Sequence, residues 1–115
     1  MAQAQMAKSP AAPWPDYPVP PAWIQSGKPQ GRGMVLTQAA DGQSLCGQWE
    51  VTPGKFRWEF DCDEYVYLLE GDVTIRVDGG EPFTLSAGDT AYFPRGASAV
   101  WDVKKTVRKV FFHRK

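Results

Sequence analysis

The side chains with the clearest potential for chemistry are four consecutive residues, Asp61–Glu64 (DCDE), which follow an aromatic-rich segment. Carboxylates and thiolates ligate transition metals, but a stable Mn, Fe, Ni or Zn site needs three or four ligands that converge on one point. Consecutive residues in one turn cannot all face inward. Glu64 could join Cys62 and a third group such as Asp102 or Tyr92, which would be an unusual site. We therefore expect no metal cofactor, and keep a divalent transition metal at Glu64 as the alternative.

Glu64 is the residue of this run that we single out as a candidate catalytic group. Strand alternation places it on the same face as Val66 and Leu68, which is apolar. Burial there without a metal would disfavour the charged carboxylate and raise its pKa. Such a group can act as a general acid or base near neutral pH. The alternative is a structural carboxylate, hydrogen-bonded to Tyr92, Ser98 or a backbone N–H.

Aromatic side chains are expected to surround Glu64. In the segment Lys55–Phe60, alternation puts Phe56, Trp58 and Phe60 on one face and the charged residues on the other. Trp58, Phe60 and Trp101 form either a stacking surface for a small planar or sugar-like ligand, or plain core. We favour a core with a partly open pocket.

The single histidine, His113, lies in a basic terminal segment. It is far along the chain from Glu64, so we interpret it as structural or solvent-exposed rather than as a ligand. The surrounding basic residues are interpreted as a solvated edge strand rather than a phosphate-binding patch. They are Lys104, Lys105, Arg108, Lys109, Arg114 and Lys115.

Length and composition describe one ordinary globular domain of 115 residues, 43% hydrophobic and 23% charged. Thirteen basic residues balance thirteen acidic ones, so no overall field favours nucleic acid or a membrane surface as a partner. No apolar stretch approaches the ~20 residues of a membrane helix, and no secretory signal is evident. Two cysteines, Cys46 and Cys62, are too few for a disulfide framework. We expect a cytoplasmic protein with reduced thiols.

The chain divides near residue 30. Seven of the ten prolines precede this point, and proline excludes a helix or an interior strand. We predict an N-terminal arm over residues 1–30, extended and partly disordered, and a β domain over residues 31–115. Residues 1–12 are expected to be disordered, and roughly residues 13–25, which include Trp14 and Trp23, to lie across the barrel or a partner subunit. The alternative is a solvated tail with incidental aromatic residues.

From Met34 onward the pattern is β-strands separated by turn signals such as Asp41-Gly42, Pro53-Gly54 and Asp78-Gly79-Gly80. Many short strands without a helical period predict an all-β sandwich or closed barrel. The predicted strands are Met34–Ala39, Leu45–Val51, Lys55–Phe60, Tyr65–Glu70, Asp72–Val77, Pro82–Ser86, Thr90–Phe93, Ala99–Val103 and Val107–His113.

Two segments resemble the paired motifs of the cupins, which are double-stranded β-helix (jelly-roll) barrels of the RmlC-like superfamily. Glu64 precedes Gly71 by seven residues, as in the first cupin motif, and Gly88-Asp89, Pro94 and Gly96 match the frame of the second. The segment WEVTPGKFRWEF, residues 49–60, is similar to the small single-domain group of the (S)-ureidoglycine aminohydrolase. The resemblance covers about residues 32–113 and implies the cupin fold.

The resemblance also places the usual metal-binding histidines at Trp58, Phe60 and Ala99, none of which can ligate a metal. Only Glu64 keeps a ligand-type side chain. It therefore implies a barrel without the usual histidine metal set. The predicted pocket residues are Trp58, Phe60, Cys62, Glu64, Tyr92, Ala99 and Trp101.

Two functions follow as hypotheses. The first is a cupin that binds a small metabolite in an aromatic-lined pocket around Glu64, or serves mainly in assembly. The alternative is a small-molecule enzyme related to ureidoglycine aminohydrolase, with Glu64 as acid/base or sole retained metal ligand, and Tyr92 and Trp101 positioning the substrate. Cupins of this kind commonly pair through their sheets, so Tyr65, Tyr67 and the aromatic arm predict a homodimer.

Overall fold

The computed structural model describes residues 2–115, which form eight strands and one short 3-10 helix. Met1, part of the predicted arm, lies outside the described residues. The helix spans Pro21–Trp23. The strands are β1 (Ile24–Gly27), β2 (Gly31–Gln38), β3 (Ser44–Val51), β4 (Gly54–Glu59), β5 (Asp63–Val77), β6 (Phe83–Ser86), β7 (Thr90–Phe93) and β8 (Ser98–Arg114). The all-β prediction is confirmed.

Two long strands, β5 and β8, organise the barrel, and every strand pairing is antiparallel. β8 lies between β4 and β3 in the order β1-β4-β8-β3-β2, and it also pairs with β5 along most of its length. β5 in turn pairs with β6 and β7. Because β8 contacts three strands, it joins the parts of the barrel that surround the core.

Each long strand was predicted as two shorter strands, and this prediction is wrong. The expected turn at Gly71 is a set of register shifts within β5, between Leu68 and Val73. Gly71 has a φ of 106°, and a Cβ atom there would lie 2.5 Å from the carbonyl oxygen of Thr106 on β8. Glycine therefore allows the strand to bend against its neighbour without ending. β1 was not predicted, because the prolines before it led us to assign residues 1–30 to an extended arm without strands.

The core fills the inside of the barrel. Along β5 the burial alternates, so that Val66 and Leu68 are buried while Tyr65 and Tyr67 remain about half exposed on the outer face. This alternation agrees with the predicted faces. The largest fully buried side chains are Trp101, Phe56, Phe93, Leu68, Ile75, Val51, Val73 and Val107.

The proline-rich arm packs against the barrel of its own chain. Trp14 and Val19 are buried, and Tyr17 donates its backbone N–H to the carbonyl of Gly31 on β2. Gly33 donates back to Pro15, so the arm runs beside β2 through two main-chain hydrogen bonds. This packing brings Tyr17 and Trp23 to one end of the barrel.

Candidate functional site

A buried polar cluster of three side chains lies at one end of the barrel. Glu64 is the second residue of β5, and Lys109 and His113 lie on β8. Alternation along β8 puts Lys109, Phe111 and His113 on the same face. The β5–β8 register pairs Glu64 with His113 and Leu68 with Lys109, which places both basic side chains beside the carboxylate.

Both carboxylate oxygens of Glu64 are engaged. Lys109 Nζ donates to Oε2 at 2.8 Å, and His113 Nε2 lies 2.6 Å from Oε1. Because an ionised carboxylate only accepts hydrogen bonds, His113 Nε2 carries the proton of that contact. The side chains of Glu64 and Lys109 are only 7% and 6% exposed, so this is a buried ion pair.

The pKa of Glu64 lies well below its ordinary value, opposite to the expected direction. Burial by itself raises this pKa. The charge of Lys109 and the hydrogen bonds from His113 and Lys109 outweigh burial and lower the pKa from 4.5 to about 2. The prediction of a raised pKa is therefore wrong, because it omitted the two partners from β8. Glu64 is an ionised counter-ion at neutral pH.

The ammonium of Lys109 is also enclosed by aromatic rings. Nζ lies 4.7 Å from the ring centroid of Trp101, 5.0 Å from that of Trp49 and 6.0 Å from that of Phe111. Cation–π contacts of this kind contribute ~0.5–2 kcal/mol, more when the cation is desolvated. The lysine charge is thus stabilised by a carboxylate and by ring faces together.

Above this cluster is a cavity of about 210 Å³. Its aromatic lining is Tyr17, Trp23, Trp49, Trp58, Phe60 and Phe111. Glu64, Lys109 and His113 reach the cavity, and so does Cys62.

Five of the lining residues and His113 form a continuous series of neighbouring rings. Centroid distances are 5.2 Å for Trp23–Trp58, 5.4 Å for Trp58–Trp49, 6.4 Å for Trp49–Tyr17, 6.3 Å for Tyr17–Phe111 and 4.7 Å for Phe111–His113. We call this series the aromatic arc. Its members Tyr17 and Trp23 come from the arm, so the arm completes the cavity wall.

The Cys62 thiol and the Tyr17 hydroxyl, which also line the cavity, are held in their neutral forms. Burial, reinforced by Asp61 and Glu64, raises the pKa of the Cys62 thiol to about 11. Burial and the same two carboxylates raise the pKa of the Tyr17 hydroxyl. Cys46 and Cys62 are both free thiols.

The fold and the matched sequence segment decide the family. Residues 38–111 match the EutQ-like cupin domain, Cupin_3. This chain belongs to the EutQ-like cupin domain family. The predicted cupin fold is thereby confirmed.

Several known proteins are similar to this EutQ-like cupin. It is 27% identical over 66 residues to the protein named Acetate kinase EutQ of Clostridioides difficile (strain 630), a match that covers 57% of this chain and 41% of that protein. The chain thus spans less than half the length of this relative. The structure of the Clostridium difficile EutQ protein has a TM-score of 0.65 at 22% identity, covering 75% of this chain and 68% of that one, and shows likeness of fold alone.

Two structures from the DUF861 family have higher sequence identity. A protein of unknown function from Pseudomonas syringae is 28% identical with a TM-score of 0.78, covering 86% of this chain and 43% of that chain. A DUF861 family protein from Thermotoga maritima is 34% identical with a TM-score of 0.54, covering 56% of this chain and 73% of that one.

The residues of this EutQ-like cupin do not fit the metal that the histidines of the usual cupin motifs would hold. Trp58, Phe60 and Ala99 offer no ligand atom, and within residues 2–115 no group of three His, Cys, Asp or Glu side chains converges. The one carboxylate at a motif position, Glu64, is already bonded to an ammonium and an imidazole. A divalent cation there would be repelled by Lys109.

Four of the predicted pocket residues line the cavity: Trp58, Phe60, Cys62 and Glu64. Trp101 and Ala99 are not among the lining residues but are fully buried. Trp101 still contributes, because its ring contacts Lys109.

Tyr92 was predicted to lie in the pocket, and the structure contradicts this. On β7 the inward-facing residue is Phe93, so alternation turns Tyr92 to the outer face, where it is 47% exposed. Its ring packs against Tyr65, and its hydroxyl donates to Asp63 Oδ1 at 3.2 Å. Asp102, named as a third metal ligand, pairs with Lys104 and does not line the cavity.

Lys109 and His113 are the functional residues that the sequence interpretation missed. His113 was expected to lie far from both cupin motifs, which is wrong, because the β5–β8 register sets it opposite Glu64. The spacing of Lys109, Phe111 and His113 already indicates a shared face.

Within residues 2–115 no helix has the length and apolar character needed to cross a membrane.

Proposed function

We propose that this EutQ-like cupin binds a small metabolite in the aromatic-lined cavity, by a mechanism that needs no metal. The observation that carries the proposal is the Lys109–Glu64 pair at the base of the cavity, 2.8 Å apart and buried. Buried charges are expensive and are found where they are paired. The position of this pair at the base of a cavity, where both side chains line the wall, supports a binding role.

Cavity size and wall chemistry support the same function. An apolar cavity of about 150 Å³ is large enough to bind benzene. The cavity here, at about 210 Å³, is somewhat larger and has polar groups at its base. Rings of the aromatic arc provide stacking surfaces, while Lys109 and His113 provide fixed hydrogen-bonding groups.

A ligand screen by saturation-transfer NMR tests this proposal. Wild-type protein is compared with Trp58→Ala, which opens the cavity wall, and with Tyr92→Ala, an aromatic truncation on the outer face. We expect hits that are lost in Trp58→Ala and kept in Tyr92→Ala. Hits that respond equally to both substitutions would place binding elsewhere and contradict the proposal.

The second candidate is a hydrolytic enzyme related to the (S)-ureidoglycine aminohydrolase. It is favoured by the Glu64–His113 contact of 2.6 Å, because a carboxylate that holds one imidazole N–H leaves the other ring nitrogen free to accept a proton. In this case the base is His113 and Glu64 positions it. Ammonia release from ureidoglycine is the assay for this hydrolysis. Activity that survives His113→Asn would exclude this mechanism.

We also propose that two copies of the chain pair through the outer sheet face formed by Tyr65, Tyr67, Tyr92 and Phe112. Each of these side chains is 43–47% exposed, and the register places them side by side across β7, β5 and β8. Together they expose roughly 400 Å² of aromatic surface, about half of what each partner buries in a standard interface.

Sedimentation velocity at micromolar concentration tests the homodimer. We expect a dimer for wild type, a monomer for Tyr67→Lys, and a dimer for Phe83→Lys, which changes an exposed aromatic residue outside this face. A monomeric wild-type protein would refute the pairing.

A further inference from the structure

Two buried rings of the aromatic arc, Trp49 and Phe111, already bind one cation. The ammonium of Lys109 lies 5.0 Å from the centroid of Trp49 and 6.0 Å from that of Phe111. Ring faces attract cations because their quadrupole is negative above the plane. This internal contact shows that the arc presents ring faces, not only edges, toward the cavity.

Three other rings of the arc lie nearer the solvent, and we call the part of the cavity that they line its outer end. Tyr17, Trp23 and Trp58 are only partly buried, and all three line the cavity. Trp23 and Trp58 pack edge to face at 5.2 Å, which leaves a ring face of one beside a ring edge of the other. In the part of the chain that the structure describes, no lysine or arginine lies among the lining residues at this end.

Two carboxylates stand at the mouth of the cavity beside these rings. Glu59 and Asp61 are exposed lining residues, and within residues 2–115 neither side chain has an ion pair. Arg95 is close, but its Nε donates to the backbone carbonyl of Asp61. Among the described residues, Lys109 is the one lysine or arginine that lines the cavity, and Glu64 neutralises it. The two carboxylates at the mouth therefore leave the lining with a net negative charge.

We propose that the outer end of the cavity binds a small organic ammonium ion against the rings of Tyr17, Trp23 and Trp58, and that the exposed negative charges of Glu59 and Asp61 attract it to the mouth. This inference rests on the proposed binding function and names its ligand class. A volume of about 210 Å³ suits a ligand somewhat larger than benzene, with roughly six to nine non-hydrogen atoms. The ammonium faces the rings and the mouth, and the rest of the ligand extends toward His113.

The decisive experiment compares two probes that differ only in charge. Choline and its neutral carbon analogue 3,3-dimethylbutan-1-ol have the same shape, and acetate serves as a small anion. Binding is followed by shifts of the indole N–H signals in a ¹H–¹⁵N spectrum. We expect choline to bind at least tenfold more tightly than the alcohol, and acetate to leave the signals of Trp23 and Trp58 unchanged.

Other outcomes overturn the inference in distinguishable ways. Equal binding of choline and the alcohol, or binding of acetate alone, refutes the ammonium ligand while the binding function stands. Absence of binding by all three probes refutes the ammonium ligand, and the metabolite screen then decides the binding function separately.

Substitutions at the mouth provide the matched control. Glu59→Gln and Asp61→Asn should each weaken choline binding about two- to fivefold, as expected for loss of one exposed charge. Glu81→Gln, an exposed carboxylate in the turn between β5 and β6, should leave it unchanged. Trp58→Leu should weaken it about tenfold, and if that variant unfolds, the two exposed carboxylates decide the test. Equal effects of Glu59→Gln and Glu81→Gln would contradict the proposed site.

Discussion

The most informative perturbation is Glu64→Gln, which removes one charge from the buried pair and changes little else. It leaves the ammonium of Lys109 in a site where its side chain is 6% exposed and, within residues 2–115, has no other carboxylate at hydrogen-bond distance. Breaking a buried ion pair by removing one partner costs about 3–5 kcal/mol, mainly because the remaining charge is uncompensated. Trp49 and Trp101 still stabilise the ammonium through their rings.

We therefore expect a loss near the lower limit, about 3 kcal/mol in the free energy of unfolding, or roughly 12 °C in Tm for a domain of this length. The double variant Glu64→Gln/Lys109→Met removes both charges and should recover most of this loss, because replacing a buried pair with apolar groups is often neutral. Together with the single variant Lys109→Met, these measurements complete a double-mutant cycle, which gives the coupling free energy between the two side chains.

Urea denaturation followed by tryptophan fluorescence, at one fixed protein concentration, measures all of these variants. The matched control is Glu50→Gln, which breaks the 2.9 Å contact between Glu50 on β3 and Arg108 on β8, whose side chains are 15% and 35% exposed. It should cost about 1 kcal/mol or less. If Glu64→Gln costs no more than Glu50→Gln, the buried-pair interpretation is wrong.

Three further predictions follow from the same structure. The folded-state pKa of Glu64 is about 2, below its ordinary 4.5, so the unfolded state binds more protons between these pH values. The resulting stabilisation, on the order of 3 kcal/mol, is complete above about pH 4.5 and is lost as the pH falls toward 2. In Lys109→Met the free energy of unfolding should depend less steeply on pH in this range. The thiol of Cys62, with its pKa raised to about 11, should react with iodoacetamide at pH 8 at least about tenfold more slowly than an unfolded control, and equal rates would contradict its burial. Gly71→Ala should destabilise the fold by about 2 kcal/mol or more, because its Cβ atom would lie 2.5 Å from the carbonyl oxygen of Thr106. The control Gly88→Ala has a similar φ of 92° but open space around it, and should cost roughly half as much. Equal losses in urea denaturation would refute the steric argument.

Local patterns predicted the faces of the strands correctly where the residue types alternate. In β5 the sequence alternates between Val66 and Leu68 on one face and Tyr65 and Tyr67 on the other, and the structure buries the first pair and exposes the second. In β7 the adjacent Tyr92 and Phe93 are both aromatic, so alternation alone could not decide which of them faces inward. Tyr92 was assigned to the pocket because the sequence did not show which of these two aromatic residues faces inward.

Register between distant strands is the information that the sequence pattern lacked. Glu64 and His113 are 49 residues apart, and their contact depends on how β5 and β8 align. A shift of one residue would turn Lys109 and His113 to the outer face. The pKa of Glu64 was predicted in the wrong direction for this reason, since burial was inferred correctly but the compensating charges were not.

Glu64 is the one ligand-type residue at the cupin motif positions, while Trp58, Phe60 and Ala99 occupy the others. This combination has a physical explanation that can be tested. A carboxylate in this cavity needs a positive partner, and Lys109 provides it where a metal ion would otherwise be required. Adding a ligand alone should therefore not create a metal site, because the ammonium still repels the ion. We expect Phe60→His to bind Co²⁺ no better than wild type, and Phe60→His/Lys109→Met to bind it at least tenfold more tightly, through Glu64 and His113, with the visible absorption bands of a protein-bound Co²⁺ site. Equal Co²⁺ affinity of the single and double variants would show that the charge of Lys109 does not exclude metal, and would remove the main argument for a metal-independent cavity.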